Sequence, residues 1–346
     1  MIFSEQILFW YAKHKRELPW RNTTDAYHIW LSEIMLQQTR VAQGTPYYLK
    51  FIENFPTVQH LANASEEQVL KLWQGLGYYS RARNLHATAK IVSEKYDGHF
   101  PNTYKQLLQL KGIGDYTASA IASISFNLPE AVVDGNVYRV LARYFGVSLP
   151  INSTEGIKYF KELAQQVMNV SHIRDYNQAI MEFGALQCTP RNPDCAVCPL
   201  QNSCAALKEL TIDALPVKIK KLKIKHRYFN YLVLLDGNGN SLLQKRTGKG
   251  IWQNLYEFPL IESDSTLAEE NIISGIEKLF TFENSFEVIK FNDTEKVHKL
   301  THQHLHTTFW IINTVDKIKN SVPISEIAKY PVPVLVADFI NTFKFE

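Results

Sequence analysis

All four cysteines of this 346-residue chain lie in one stretch of seventeen residues, CTPRNPDCAVCPLQNSC at Cys188–Cys204. No apolar run approaches the roughly 20 residues that span a bilayer. The N-terminal MIFSEQILFWYAKHKREL carries Glu5 and lacks a small-residue cleavage site, so it reads as an amphipathic helix rather than a secretory signal. The expectation is a cytosolic protein, where clustered cysteines are ligands rather than disulfides. The spacing is C-x6-C-x2-C-x5-C. A structural zinc site more often shows two C-x2-C pairs on separate arms. Four thiolates on one short loop also suit an iron–sulfur cluster. Spacing alone leaves zinc and [4Fe–4S] both open.

The length suits two domains. Residues 1–210 read as helices, with apolar positions recurring every three or four residues and breaks at Pro19, Pro46, Pro56, Pro101 and Pro129. Residues 211–227 form a basic connector. Its PVKIKKLKIKHR carries six Lys/Arg and no acid. It reads either as a solvated edge strand with Ile219, Leu222 and Ile224 partly buried, or as a segment that tracks a nucleic-acid backbone through Lys220, Lys221 and Lys223. Residues 228–346 read as α+β, opening on two strands joined at Asp236-Gly237-Asn238-Gly239, a strong hairpin signal. The net charge of +3 neither demands nor excludes nucleic acid.

Two carboxylates stand out. Glu33 in IWLSEIMLQQTRV has Ile29, Trp30 and Leu36 as helical neighbours, and such surroundings raise a carboxyl pKa. Asp134 in AVVDGNVYRV opens a helix, whose N-terminus lowers one. One carboxyl pushed up and one pushed down is the pattern of an acid and an anion that together cleave a glycosidic bond. Between them lies LKGIGDYTASA, where Lys111, Gly112 and Gly114 make a tight turn between helices. Its backbone N–H groups face outward at a helix start, a ready phosphate site.

LKGIG, then VVDGNVYRV, then the cysteine loop, in that order, resemble the helix–hairpin–helix DNA glycosylases that carry an iron–sulfur cluster. Within that superfamily, LPWRNT at 18–23, SEIMLQQTRV at 32–41, LWQGLGYYSRARNL at 72–85 and NQAIMEFGALQCTP at 177–190 resemble the adenine DNA glycosylases of the MutY family. The resemblance is strong to about residue 205 and looser beyond. It implies an all-α helix–hairpin–helix glycosylase domain with a [4Fe–4S] loop held by Cys188, Cys195, Cys198 and Cys204, followed by a smaller α+β, Nudix-like domain. It implies a monomer acting in base excision repair on duplex DNA that carries adenine opposite 8-oxoguanine or guanine, in the cytoplasm and near the nucleoid of a bacterium.

The resemblance also distributes roles. Glu33 is the acid that protonates the base, and Asp134 stabilises the sugar cation. Asn136 orients Asp134, and Tyr116 walls the site. Lyase-type relatives carry lysine where this chain has Tyr116, so the implied enzyme is monofunctional. Arg16, Leu18, Trp20, Arg21 and Gln178 border the adenine pocket. Gln38, Thr39, Leu76 and Tyr78 approach the opposite base, with Tyr78 as a wedge. In the Nudix-like part, GIWQNLYEFPL at 250–260 fits the family. The helix after it has Glu269, Glu270 and Glu277 but no R-E-x-x-E-E run, which argues for recognition and against a nucleotide-pool hydrolase. Leu300-Thr301-His302 stands where relatives have Phe-Ser-His, so Thr301 and His302 become candidate lesion contacts. The paired carboxylates argue against a redox sensor without catalysis. His302, His304 and His306 alternate along a strand and read as an imidazole-bearing face rather than a metal site.

Overall fold

The computed structural model describes residues 3–219, 224–343 and 345. Two compact units emerge, Met1–Ala64 with Asn84–Lys220 and Ser65–Arg83 with Lys221–Glu346. Lys220, Lys221, Leu222 and Lys223 of the basic connector lie outside the described residues. Of its flanking apolar residues, Ile219 and Ile224 are exposed rather than partly buried. Among the described residues, no helix is long and apolar enough to cross a membrane.

The first unit is helical. Helix Ala26–Leu36 starts where the Asp25 side chain accepts from the backbone of Tyr27 and His28. It is buried on nearly every side, from Tyr27 to Met35, and packs on helix Asp115–Ile124. Helix Gly135–Phe145 starts at Asp134 and ends at Gly146, whose φ of 68° is the left-handed stop that glycine adopts without cost. Helix Ile173–Leu186 packs against both of the latter two. The closest approach is at Gly184, where a Cβ would stand 2.6 Å from Asn136 Cβ and 2.8 Å from its carbonyl oxygen.

The second unit is built on strands β1 (Lys225–Asp236), β2 (Asn240–Ser241), β3 (Gln244–Lys245), β4 (Tyr256–Glu257), β5 (Leu260–Ser263), β6 (Phe286–Lys290), β7 (Lys296–Lys299), β8 (Gln303–Thr314) and β9 (Val322–Pro323). A seven-stranded sheet runs β6-β8-β1-β2-β9, with β5 also on β1 and β7 also on β8. The β1–β2 hairpin turns at the Asp-Gly-Asn-Gly stretch, as its chemistry requires, and Asp236 Oδ1 accepts from the backbone of Asn238 and Asn240. The two longest strands, β1 and β8, are parallel neighbours, with Tyr231 opposite Phe309. Their even-numbered side, Leu232, Leu234, Trp310 and Ile312, packs on Ile272 and Ile276 of helix Glu269–Leu279. On the other side Phe309 stacks on Phe339 of the terminal helix Val334–Thr342.

Strands β6 and β7 both pair with β8, and Asn292 fills the gap between them. Its Oδ1 accepts from Phe309 N at 2.8 Å, and its Nδ2 donates to Thr307 O at 3.1 Å and Thr294 O at 2.8 Å. The side chain thus stands in for missing ladder bonds. Asn292→Ala leaves the buried Phe309 N–H unpaired and should destabilise the protein by about 1–3 kcal/mol. A urea midpoint equal to that of the unmodified chain would show that the ladder does not depend on this amide.

Candidate functional site

Helix Ala26–Leu36 carries Glu33 on a face that is 8% exposed. Helix Asp115–Ile124 brings Tyr116 to it, and the phenol donates to Glu33 Oε2 at 2.5 Å while also meeting Met181 Sδ at 3.2 Å. Burial drives the Glu33 carboxyl up to about 7. The Tyr116 hydrogen bond opposes that shift, the charge of Asp134 adds to it, and Arg21 opposes it. Tyr116 keeps its proton, because burial and the charges of Glu33 and Asp134 hold its pKa well above a phenol's ordinary range.

Asp134 is the N-cap of the Gly135–Phe145 helix. Its Oδ1 accepts from Asn136 N at 2.9 Å and Val137 N at 2.8 Å, and its Oδ2 from Asn136 Nδ2 at 2.9 Å. The sequence leads one to expect these donors to depress its pKa. Instead burial outweighs them, and the carboxyl is raised. The two acids therefore differ in their bonding rather than in the direction of their shifts. Glu33 accepts from one phenol, whereas Asp134 accepts from three N–H groups that favour its anion.

The support for Asn136 comes from a residue the sequence reading passes over. Arg139 Nη2 donates to Asn136 Oδ1 at 2.8 Å and to Gly184 O at 2.5 Å, and its Nε donates to Cys188 O at 2.7 Å. One turn later Arg143 donates to Thr189 O at 2.7 Å and to Pro190 O at 3.2 Å in the cysteine loop. Two buried arginines on an otherwise apolar helix face were the available signal. Glu182, 1% exposed at its side chain, was likewise passed over. Burial opposes its ionisation, but hydrogen bonds from Arg16 and Arg21 overcome this and hold its pKa down to about 2.

Arg16 and Arg21 thus come together on Glu182, within the same helical unit as Glu33. Leu18 and Trp20 are buried, and Trp20 meets Tyr48 edge-on at 5.2 Å. Gln178 is half-buried one turn before Glu182. In the hairpin turn Lys111, Gly112 and Gly114 are exposed. Gly112 has φ +78° over Asn84, while a Cβ on Gly114 would meet open space. The Lys111 carbonyl is fixed by Thr88 Oγ1 at 2.7 Å. Gln38 is exposed and Thr39 half-buried.

In the second unit Tyr78 is 52% exposed at φ 49°, after Gly75 and Gly77, both at positive φ. Its hydroxyl lies 2.9 Å from Thr301 Oγ1. A cleft of about 610 Å³ is lined by Tyr78, Arg83, Trp252, Lys299, Thr301 and His302, among others. Leu76, expected at a base, is buried instead and supports the loop from beneath.

The four cysteine side chains all line one small cavity of about 30 Å³, together with Arg143, Val140, Phe183 and Leu200. Among the described residues no three His, Cys, Asp or Glu converge tightly enough for a single metal ion. Four thiols that line one cavity are a donor set that fits an iron–sulfur cluster. Burial, the first cause, pushes Cys198 up to about 11, and thiolate neighbours add to the shift. A cationic iron core offsets both effects. Cys188, Cys195, Cys198 and Cys204 are the residues that hold a [4Fe–4S] cluster here.

Comparison with known proteins agrees. The family described as "HhH-GPD superfamily base excision DNA repair protein" matches residues 31–166, "Iron-sulfur binding domain of endonuclease III" matches 188–204, and "NUDIX domain" matches 230–342. An adenine DNA glycosylase of Buchnera aphidicola subsp. Baizongia pistaciae is 38% identical over 315 residues, covering 90% of this chain and 86% of that protein. The Homo sapiens adenine DNA glycosylase is 46% identical over 213 residues, 59% of this chain and 39% of that one. The structure of a thermostable thymine-DNA glycosylase superposes with a TM-score of 0.56 at 32% identity, over 60% of this chain and 95% of that one. A trapped endonuclease III–DNA covalent intermediate shares the fold, with a TM-score of 0.52 at 20% identity over 60% of this chain and 95% of that one.

The raised pKa of Glu33 has a stability consequence. A carboxyl near 4.5 when unfolded and about 7 when folded contributes stability below 4.5 that is lost as the pH rises through 7. Each unit is worth about 1.4 kcal/mol, so the loss is about 3 kcal/mol. Glu33→Gln cannot ionise and escapes it. Urea melts should show the variant gaining on the unmodified chain between pH 4.5 and pH 7.5. A gap that stays constant across that range would mean Glu33 does not titrate in the folded protein with a raised pKa.

Proposed function

The chain belongs to the adenine DNA glycosylase family, and we propose that it flips adenine out of duplex DNA, prefers adenine opposite 8-oxoguanine, and hydrolyses the glycosidic bond to leave an abasic site. Adenine removal in base excision repair is the family's work. The opposite-base preference and the monofunctional chemistry are the finer reading. The observation that carries it is the pairing of Glu33, protonated near neutrality, with an Asp134 anion bound by three N–H donors.

Adenine cannot be cut inside the stack, so the nucleotide must leave the helix. Glu33 then delivers its proton to adenine N7, which turns the base into a neutral leaving group. Tyr116 supports Glu33 through its hydroxyl and offers no amine, so a Schiff base with the sugar is not available at this position. As the C1′–N9 bond breaks, positive charge grows on the sugar, and the carboxylate of Asp134 answers it. Asn136, braced by Arg139, keeps that carboxylate aimed. Arg16, Arg21 and Gln178 belong to the wall that selects adenine. Lys111, Gly112 and Gly114 seat a backbone phosphate. Cys188, Cys195, Cys198 and Cys204 would hold the [4Fe–4S] cluster, which would shape the loop that Arg139 and Arg143 grip.

Within the second unit, opposite-base reading falls to Tyr78, Thr301 and His302. Tyr78 is exposed and pre-bent, which suits a wedge. Monomeric action on chromosomal DNA, in the cytoplasm, completes the reading.

Single-turnover excision tests it. The rate should fall as pH rises through about 7, and Glu33→Gln should lose about 10²–10⁴-fold. Thr301→Ala removes one hydroxyl hydrogen bond, about 0.5–1.5 kcal/mol, so preference for 8-oxoguanine over guanine should drop several-fold. Borohydride should trap little or no adduct. Near-normal excision by Glu33→Gln would refute the acid assignment. Unchanged discrimination by Thr301→Ala would remove this loop from lesion reading.

A further inference from the structure

Beyond the core end of the sheet, β1 and β8 continue as an open face. The even-numbered residues that are apolar under helix Glu269–Leu279 become His226, Tyr228, His304 and His306 toward the strand starts. His226 stands opposite His304, and Tyr228 opposite His306. Tyr228 stacks on His306 with ring centres 4.6 Å apart, and His226 packs edge-on to His304 at 5.3 Å.

The bonding among these rings limits how many protons they hold. His226 Nδ1 and His306 Nε2 are 2.8 Å apart, and His306 Nδ1 is 3.1 Å from Glu295 Oε2. A carboxylate only accepts, so His306 Nδ1 carries a hydrogen. Between the two rings one nitrogen must donate and the other accept. The pair therefore carries at most one positive charge while the bond lasts, and a second proton breaks it.

The remaining groups on this face come from each neighbouring strand. Strand β7 presents Lys299 opposite His304 and Val297 opposite His306. Strand β5 presents Ser263 opposite Tyr228. The segment before helix Glu269–Leu279 sends Thr266 to the other oxygen of Glu295 at 2.5 Å. Glu262 lies on the opposite side, taken up by Arg227 at 2.6 Å. Glu295 is thus the carboxylate bonded to this row, and it meets the row through His306. Desolvation and the neighbouring His226, Lys299 and His306 hold His304 below histidine's ordinary range. The row also ends at the loop that matters for reading. Residues 300–302 join β7 to β8, His302 O accepts from Lys225 N at 3.0 Å, and Thr301 meets Tyr78.

We propose that this imidazole row is a proton-gated contact for the DNA phosphate backbone beside the Thr301 loop, neutral at alkaline pH and cationic as the pH falls. The proposal rests on the reading of this unit as DNA-binding. Histidine is the side chain whose ordinary titration falls in this range. Each added cation that neutralises a phosphate should steepen the salt dependence of binding by about 0.9. Phosphate contacts carry no base information, so the response should be the same on every duplex.

The experiment uses the full chain with Glu33→Gln, which blocks excision and removes that titrating group. Fluorescence anisotropy gives affinity against salt at pH 8 and pH 5, on an undamaged duplex and on one with adenine opposite 8-oxoguanine. Between those pH values the slope of log K against log salt should steepen by about one to two units, equally on both duplexes. Adding His304→Gln should remove about half of that change. Adding His304→Lys instead should steepen the slope already at pH 8. Because His304 stands on the open end of the strand, neither change opens the core, and matched thermal melts confirm folding. A His304→Gln protein with the full pH response overturns the proposal. So does a response confined to the damaged duplex, since the contact would then be to a base. Loss of lesion preference in Thr301→Ala bears on the reading of the loop and leaves this test standing.

Discussion

The N-cap of one helix organises the catalytic half of the molecule. Asp134 caps this helix, and the helix start provides two backbone donors for one of its oxygens. The second oxygen depends on Asn136, Asn136 on Arg139, and Arg139 on the carbonyls of Gly184 and Cys188. Every link is a hydrogen bond from a side chain that is wholly or partly buried, where an unmade bond costs more than a made one gains. The arrangement requires the Ile173–Leu186 helix to approach within van der Waals contact, and only a residue without Cβ permits that at position 184. The cysteine loop is thus one end of the scaffold that aims the aspartate, and Arg143 fastens that end one turn further on.

Two buried glutamates in the same helical unit show what decides the fate of a carboxyl. Burial pushes both up. Glu182 meets two guanidinium forks and falls to about 2, whereas Glu33 meets a neutral phenol and rises to about 7. Charge-assisted, bidentate bonds are roughly twice as strong as neutral ones, and here two forks outweigh desolvation where one phenol does not. The structural acid is therefore permanently ionised. The acid with catalytic potential is poised where a proton can be given away near neutral pH.

Much of this was legible in the sequence, for identifiable reasons. Cys188–Cys204, the LKGIG turn and the Asp-Gly-Asn-Gly hairpin are local patterns whose chemistry acts over a few residues. Glu33 was legible because its i−4 and i−3 neighbours are apolar. The direction of the Asp134 shift was not, because the helix-end effect is local while the burial that outweighs it comes from packing. Arg139, Glu182 and Gly184 were missed for the same reason. Apart from Asn136, three residues from Arg139, their partners are 45 or more positions away in the chain, and no short window contains both ends.

The second unit carries a consequence for how reading and chemistry can be separated. It is not simply the residues after the connector, since Ser65–Arg83 belongs to it. Within it Lys71 Nζ donates to Ala328 O at 2.6 Å and Tyr330 O at 3.0 Å, Glu67 receives Lys245 at 3.0 Å and the Tyr256 hydroxyl at 2.7 Å, and Glu66 accepts from Asn254 at 2.5 Å. Val69, Leu70 and Trp73 of the same segment are fully buried. A chain cut at the connector would leave that ion pair and those hydrogen bonds unmade, and with them the support for the Gly75–Tyr78 turn. Tyr78 and Thr301 therefore share one body although 223 positions apart. Their hydroxyl contact means the exposed aromatic and the β7–β8 loop are positioned together. The proposed lesion preference would depend on that joint geometry, and point changes within it are cleaner probes than removal of the C-terminal residues as a block.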